Sequence, residues 1–206
     1  MIGRSWWDER VLPRLVDVVL SESVSHRWRE LVCAAATGRV LEVGFGSGHN
    51  LPHYPASVTE VLGVEPSDLA WDRARPRVES FDGLVRRIGL DGADLPVETG
   101  SVDTVVSTWT MCTIPDITAA VGEMLRVLRP DGTLLYVEHV SSAHPWVGRI
   151  QRGVQPFWGP VAGGCHLDRD IEGLFSAGGF TVTPLTSRPA PGSLHPAPFV
   201  AGAARP

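Results

Sequence analysis

Residues 41–55 read LEVGFGSGHNLPHYP and join an acid, Glu42, to three alternating glycines, Gly44, Gly46 and Gly48. Without a Cβ, a glycine backbone can approach a ligand closely and take turns that other residues avoid. A dinucleotide phosphate loop is spaced G-x-G-x-x-G. Here His49 stands where the third glycine belongs counting from Gly44, and Leu51 stands there counting from Gly46. No GKS or GKT follows, so a Walker loop is excluded as well. The spacing that fits is E-x-G-x-G-x-G. Its carboxylate disfavours a second anion nearby and suits a ligand with an amine and a positive centre.

A second acid, Glu65, closes the stretch EVLGVE (60–65). In nucleotide-binding sheets an acid about 20 residues beyond the first glycine accepts hydrogen bonds from ribose hydroxyls. A third stretch, DGADLP (91–96), offers Asp91 and backbone groups where an adenine edge would lie, with Asp94 as a second acid. An adenosine with an aminoacyl end and no phosphates is S-adenosyl-L-methionine (SAM).

These residues need strands to carry them. RVLEV (39–43), EVLGVE (60–65), a weaker segment at 84–90, VDTVVST (102–108) and TLLYVEHV (133–140) read as strands, the fourth rich in β-branched residues. Between them, Ser67 is placed to cap one helix and Asp116 another. Behind Asp116, Ile117, Ala120, Val121, Met124, Leu125 and Leu128 recur at helical spacing. RPDG (129–132) reads as a turn. Residues 5–36 read as helical, through Leu12, Leu15, Val16, Val19 and Leu20, with a kink at Pro13 and a stop at Gly38. Residues 141–166, rich in Trp, Pro and Gly, read as an irregular insertion. Asp168 is expected to open a further helix ending at AGG, followed by strands FTVTPL (180–185) and FVAGAAR (199–205) around a Pro-rich loop. Strands alternating with helices predict βαβ units and a parallel sheet covered on both faces, with the glycine turn at the carboxyl end of the first strand.

The chain has 206 residues, the length of one domain. A net charge of −5 supplies no basic field for nucleic acid or an anionic membrane. No apolar run approaches the roughly 20 residues a membrane span needs, and the N-terminus is polar too early for a signal peptide. Three cysteines, Cys33, Cys112 and Cys165, are widely spaced and form no CxxC pair. They point to a reducing compartment and against a disulfide framework or structural metal. The expectation is a cytoplasmic protein with a small-molecule partner, no metal, no nucleic acid and no integral membrane association; the sequence sets no oligomeric state.

VLEVGFGSG, GVEPS, DGADLPVETGSVDTVVS and EMLRVLRPDGTLLYVEH resemble, in order over about residues 38–140, the successive motifs of class I SAM-dependent methyltransferases. TMCTI, EHV and the late Trp158, Gly164, Cys165, Leu167, Arg169 pattern are similar to the methyltransferase-like seven subgroup of alkyl-thiol S-methyltransferases and its bacterial relatives. The animal members carry an N-terminal membrane anchor, which is not expected here. The resemblance implies a Rossmann-like α/β fold: a seven-stranded, mostly parallel sheet with an antiparallel last strand and helices on both faces. It implies one domain over 1–206: N-terminal helices to 37, a SAM-binding core at 38–140, a substrate-side insertion at 141–167, and a C-terminal helix and hairpin at 168–206.

The resemblance carries the cofactor contacts to Glu42, Gly44, Phe45, Gly46, Gly48, Asn50, Glu65, Pro66, Asp91, Gly92, Ala93 and Thr108. Thr108 and Trp109 end the fourth strand and face the methionine end. His139, at the end of the fifth strand, and His166 are the candidate proton acceptors. Cys112 reads as a small buried hydrophobe. Cys165 and His166 are adjacent and point to opposite faces, so they form no catalytic pair. Trp146, Phe157 and Trp158 could wall an apolar acceptor site; His49, His53 and Tyr54 read equally as lining of the acceptor pocket or as surface residues at a helix start.

The expected reaction is methyl transfer to a small molecule, with S-adenosyl-L-homocysteine as product. A thiol acceptor is favoured because a pKa near 8.5 leaves usable thiolate at neutral pH. The alternatives are O- or N-methylation of a metabolite, natural product or phospholipid headgroup, and a non-catalytic SAM-binding partner. A nicotinamide dehydrogenase is disfavoured by the missing third glycine.

Overall fold

The computed structural model describes residues 22–142, 144–186 and 199–206, with positions 10, 11 and 14. The helical reading before residue 22 and the Pro-rich loop at 187–198 lie outside the described residues.

Helix α1 (Glu22–Cys33) leads into β1 (Gly38–Val43). The helix ends before the alanines rather than at Gly38. Gly38 instead opens β1 at φ +63°, where a Cβ would collide with the Asp103 carboxylate. Then follow β2 (Val58–Val64), α2 (Asp68–Glu79), β3 (Leu84–Gly89), β4 (Val102–Thr108), α3 (Ile117–Val127) and β5 (Leu128–His139). Ser67 and Asp116 cap as expected, their side chains accepting from Ala70 N (3.2 Å) and Ala119 N (3.0 Å). α4 (Pro145–Val161), α5 (Ile171–Ala177), β6 (Thr181–Pro184) and β7 (Phe199–Arg205) complete the described chain.

The sheet has strand order β3-β2-β1-β4-β5-β7-β6. Strands β1 to β5 pair in parallel, and β7 runs antiparallel between β5 and β6. Alternate residues of each strand face opposite layers. Leu41, Val43, Val105, Leu134 and Tyr136 pack with Met124, Ile171 and Phe175. Val40, Val61, Val106, Leu135 and Val137 pack on the other face with Val32, Leu51 and Ala74. Burial on both faces is why these strands read as nearly continuous apolar runs. The order reverses at β1 and β4, which opens the crevice where sheets of this kind bind ligands.

Three expectations need correction. RPDG does not end a turn before β5; it lies within β5. Val102 pairs with Leu128 and Thr104 with Thr133, so Arg129–Gly132 bulge out between the two pairs. Residues 145–161 are a helix, not an irregular insertion. Pro145 occupies the first turn, where no N–H is needed, and Pro156 and Pro160 are on the exposed side of the helix. Finally, Asp170 rather than Asp168 caps α5, accepting from Gly173 N at 3.4 Å.

Candidate active site

The carboxyl ends of β1, β2, β4 and β5 converge on one crevice. After β1 the backbone takes positive φ at Gly44 (+81°), Gly46 (+56°) and Gly48 (+74°). Gly44 N and Phe45 N both donate to Val64 O at 3.0 Å, fastening the loop to β2. A Cβ on Gly44 would lie 1.9 Å from Thr110 Oγ1, so this glycine is required by packing. A Cβ on Gly46 would meet nothing within 4 Å. The loop thus leaves open space beside Gly46.

Glu65 stands over the same loop. Its Oε2 accepts from Gly46 N at 2.8 Å and its Oε1 from Ser67 N at 2.7 Å. Pro66 beside it is exposed. Arg87 donates from Nε (2.9 Å) and Nη2 (2.6 Å) to Glu65 O, which holds the end of β2 in place. After β3, Asp91 Oδ1 accepts from Ala93 N at 2.9 Å and forms a tight turn. Gly92 is buried there, and a Cβ would come 3.0 Å from Val43 Cγ1.

Beneath the loop lies a buried polar network. Glu42 Oε1 accepts from Asn50 Nδ2 (2.8 Å) and its Oε2 from Tyr54 Oη (2.7 Å). Asn50 Nδ2 also donates to Thr108 Oγ1 (3.1 Å), while Arg29 Nη1 donates to Asn50 Oδ1. Arg29 Nε donates to Ser25 Oγ at 2.8 Å, and its guanidinium lies 4.9 Å from the Trp109 ring centre. Glu42 is therefore satisfied by side chains, with Asn50 linking it on to Thr108. Burial raises its pKa to about 7, against the opposing pull of Tyr54, Arg29 and Asn50. Tyr54 is a buried partner of Glu42, and His53 leans on the His26 ring at 5.2 Å.

Beyond Thr108 the chain turns sharply. Trp109 has φ +53°, a left-handed conformation that costs an indole residue about 1–3 kcal/mol. Its Nε1–H is buried and has no hydrogen-bond partner among the described residues. Strain and an unanswered donor at the switch point both fit a ligand bound there.

The remaining candidate residues lie on β5 and in the segment after α4. Glu138 is fully buried; its Oε1 accepts from Ser107 Oγ (2.7 Å) and Thr110 N (3.1 Å). Burial raises its pKa to about 7. His139 is buried with its ring edge-on to Phe199 at 6.1 Å. Ser141 N donates to Arg169 O (3.0 Å) and His166 N to Cys112 O (2.8 Å), so the segments carrying both candidate histidines adjoin. Arg169 Nη1 donates to Met111 O (2.6 Å) and Ile114 O (2.8 Å), clamping the loop after β4. His166 has 44% of its side chain exposed and Nδ1 at 3.8 Å from Asp168 Oδ1. Burial, then the Arg169 charge, lowers its pKa.

The Cys165 thiol is lowered to about 7, chiefly by a hydrogen bond from Cys112, with Trp158 and Arg169 adding to it; burial opposes them. Cys112 is correspondingly raised. Trp146 and Phe157 do not wall this side: both point to solvent. Among the described residues no His, Cys, Asp and Glu cluster could hold a metal ion, and no helix is long and apolar enough to cross a membrane.

The sequence did not single out Arg29 and Glu138 as parts of the site, and it left Tyr54, the buried partner of Glu42, between an acceptor-pocket and a surface role. Glu138 carried a signal, a charge inside an apolar strand. Arg29 carried none, because only folding sets its helix against β5 and β7.

A doubly wound sheet with an acid-backed glycine loop and a second acid after β2 defines a nucleoside-binding α/β enzyme. The family described as "Methyltransferase domain" matches residues 41–136. Thiol S-methyltransferase TMT1A of Homo sapiens is 31% identical over 166 residues, 74% of this chain and 67% of that protein. Phosphatidylethanolamine N-methyltransferase of Cereibacter sphaeroides is 34% identical over 158 residues, 74% of each chain. A SAM-dependent methyltransferase structure from Thermotoga maritima shares the fold at TM-score 0.63 and 22% identity, over 97% of this chain and 99% of that one. The chain belongs to the SAM-dependent methyltransferases: it is an enzyme whose cofactor is SAM and whose fold is the expected Rossmann-like one.

Proposed function

We propose that this enzyme methylates the sulfur of a small thiol. The observation that carries the reading is His166. Its imidazole is half-exposed, and burial and then the Arg169 charge lower its pKa, which favours the neutral ring. Such a weak proton acceptor suffices for a thiol of pKa near 8.5 but not for an alcohol. The neighbouring donors Trp158 and Arg169, which favour the Cys165 thiolate, would favour a thiolate acceptor in the same way. The likeness to thiol S-methyltransferase TMT1A supports the same acceptor class.

Within this reading, Gly44, Phe45, Gly46 and Gly48 cradle the aminoacyl end of the cofactor, backed by Glu42, Asn50 and Thr108. Glu65 and Pro66 flank the ribose, and Asp91, Gly92 and Ala93 flank the adenine. When bound, SAM supplies a methyl group already activated by the sulfonium charge. The chain's own task is to align the acceptor, exclude water and take up one proton. His139 and His166 are the candidate sites for that proton. Residues 1–206 act as one domain, with 38–140 on the cofactor and 141–167 toward the acceptor. The three free cysteines support a reducing, cytoplasmic setting, and the charge of −5 supports a small-molecule rather than a nucleic-acid acceptor.

A second reading, N-methylation of a phospholipid headgroup, is supported by the likeness to the Cereibacter enzyme. Methyl transfer from labelled SAM to a panel of small thiols, phenols, amines and phosphatidylethanolamine separates the two. Activity confined to amines overturns the thiol assignment.

A further inference from the structure

We infer that Cys112 and Cys165 form a reversible disulfide that acts as a redox switch on the loop after β4. The Cys112 thiol already hydrogen-bonds to the Cys165 sulfur. The two backbones are held together as well, since His166 N donates to Cys112 O at 2.8 Å. A backbone bond of this kind sets chains about 5 Å apart, inside the Cα separation of about 4.4–6.8 Å that a disulfide spans. Gln155 Nε2 donates to Cys165 O (3.0 Å) and Arg169 Nη1 to Met111 O (2.6 Å), which fixes both segments in place. Oxidation therefore needs rotation about side-chain bonds and no refolding.

The two cysteines divide the chemistry. Cys165 is partly exposed and its thiol is lowered to about 7, so a thiolate meets solvent. Cys112 is buried and raised, and stays protonated beside it. An acidic, accessible thiol next to a second cysteine is the arrangement of a peroxide sensor. The Cys165 thiolate attacks one oxygen of a hydroperoxide. The O–O bond breaks, and the other oxygen leaves, taking up a proton as water or an alcohol. Cys165 is then a sulfenic acid. The Cys112 sulfur attacks the Cys165 sulfur, the S–O bond breaks, and hydroxide leaves with the Cys112 proton as water. Two electrons pass from the two sulfurs to the peroxide, and a dithiol reductant returns them. Cys33 is fully buried in the other layer of the fold and takes no part.

The bond would be felt in the cofactor crevice. Cys112 Sγ lies 3.7 Å from Trp109 O, and Thr113 N donates to Thr110 O at 2.8 Å, so residues 109–113 make one compact turn. Drawing Cys112 onto Cys165 pulls on that turn. Its first residue is Trp109, held at φ +53° where β4 ends. A transient disulfide of this kind is compatible with a reducing setting, where such bonds serve as sensors.

Peptide mapping of the full chain after hydrogen peroxide, alkylation and digestion without reductant tests the bond. A peptide joining Cys112 to Cys165 is expected, and dithiothreitol should remove it. Cys112→Ser should stop at the sulfenic acid, trapped on Cys165 by dimedone. Calorimetric affinity for S-adenosylhomocysteine should fall about tenfold on oxidation, the scale of one well-made hydrogen bond, and return with dithiothreitol. Cys165→Ser should show no such fall relative to its own untreated sample. Absence of the joined peptide overturns the proposal, as does a disulfide that leaves the affinity unchanged or an equal fall in Cys165→Ser. None of these measurements uses a methyl acceptor, so their failure is distinct from failure of the thiol assignment.

Discussion

Gly46 N donates to Glu65 Oε2 at 2.8 Å, joining the glycine loop after β1 to the acid that ends β2. The bond sets the height of the loop above the sheet and leaves the carboxylate beside the open space at Gly46. Glu65→Ala removes the loop anchor and the expected ribose acceptor together. SAM affinity should fall about 100-fold, the loss of two hydrogen bonds to a charged group. Calorimetric titration checks it, and undiminished affinity would refute the assignment.

Two glycines of the loop should respond differently to alanine. Gly44→Ala puts a methyl group into Thr110 at φ +81° and should destabilise the fold by about 2–3 kcal/mol. Gly46→Ala places its methyl in empty space at φ +56° and should cost about 1 kcal/mol of stability. Its effect on SAM affinity should be the larger one, at least about tenfold, because the methyl occupies the cofactor's room. Denaturation midpoints and binding measured on the same samples separate the two losses; equal affinity for Gly46→Ala and wild type would empty the space of its proposed occupant.

The pH dependence of stability carries the mark of Glu42 and Glu138. Both carboxyls rise from 4.5 to about 7 on folding, through burial. A raised carboxyl favours the protonated folded state. Its contribution is therefore complete below about pH 4 and is lost as pH climbs through the interval up to about 7. Each shift corresponds to something on the order of 3 kcal/mol. Glu42→Gln and Glu138→Gln should each flatten the fall in stability between pH 4.5 and 7 read from urea unfolding. Wild-type slopes in both variants would contradict the buried-acid account.

Cys165 should be the reactive thiol. Cys33 and Cys112 are buried and raised, whereas Cys165 is partly exposed and lowered to about 7. Iodoacetamide labelling should rise with a midpoint near pH 7 and fall on Cys165 in the mass spectrum. Cys112→Ala, which removes the main cause of the lowering, should move the midpoint toward that of an ordinary thiol. A wild-type midpoint already there would rule out the Cys112 bond.

The sequence alone determined the strands of the cofactor half and the glycine loop between the first two. E-x-G-x-G-x-G, Glu65 and DGADLP lie close to the ends of β-branched runs, so local spacing and propensity were enough. The caps at Ser67 and Asp116 were legible for the same reason. Tertiary structure decided the rest. Arg29 reaches Asn50 and Thr108 only because α1 packs across β5 and β7, a relationship that no local pattern encodes. Trp109 acquired its left-handed turn from the switch point, not from its residue type. The segment 145–161 is a helix despite its prolines, tied by Gln151 and Gln155 to backbone just before and just after it, and its apolar stripe is turned outward. Local chemistry is readable where neighbours in sequence act together; burial, pKa and exposed faces follow from contacts between residues distant in the chain.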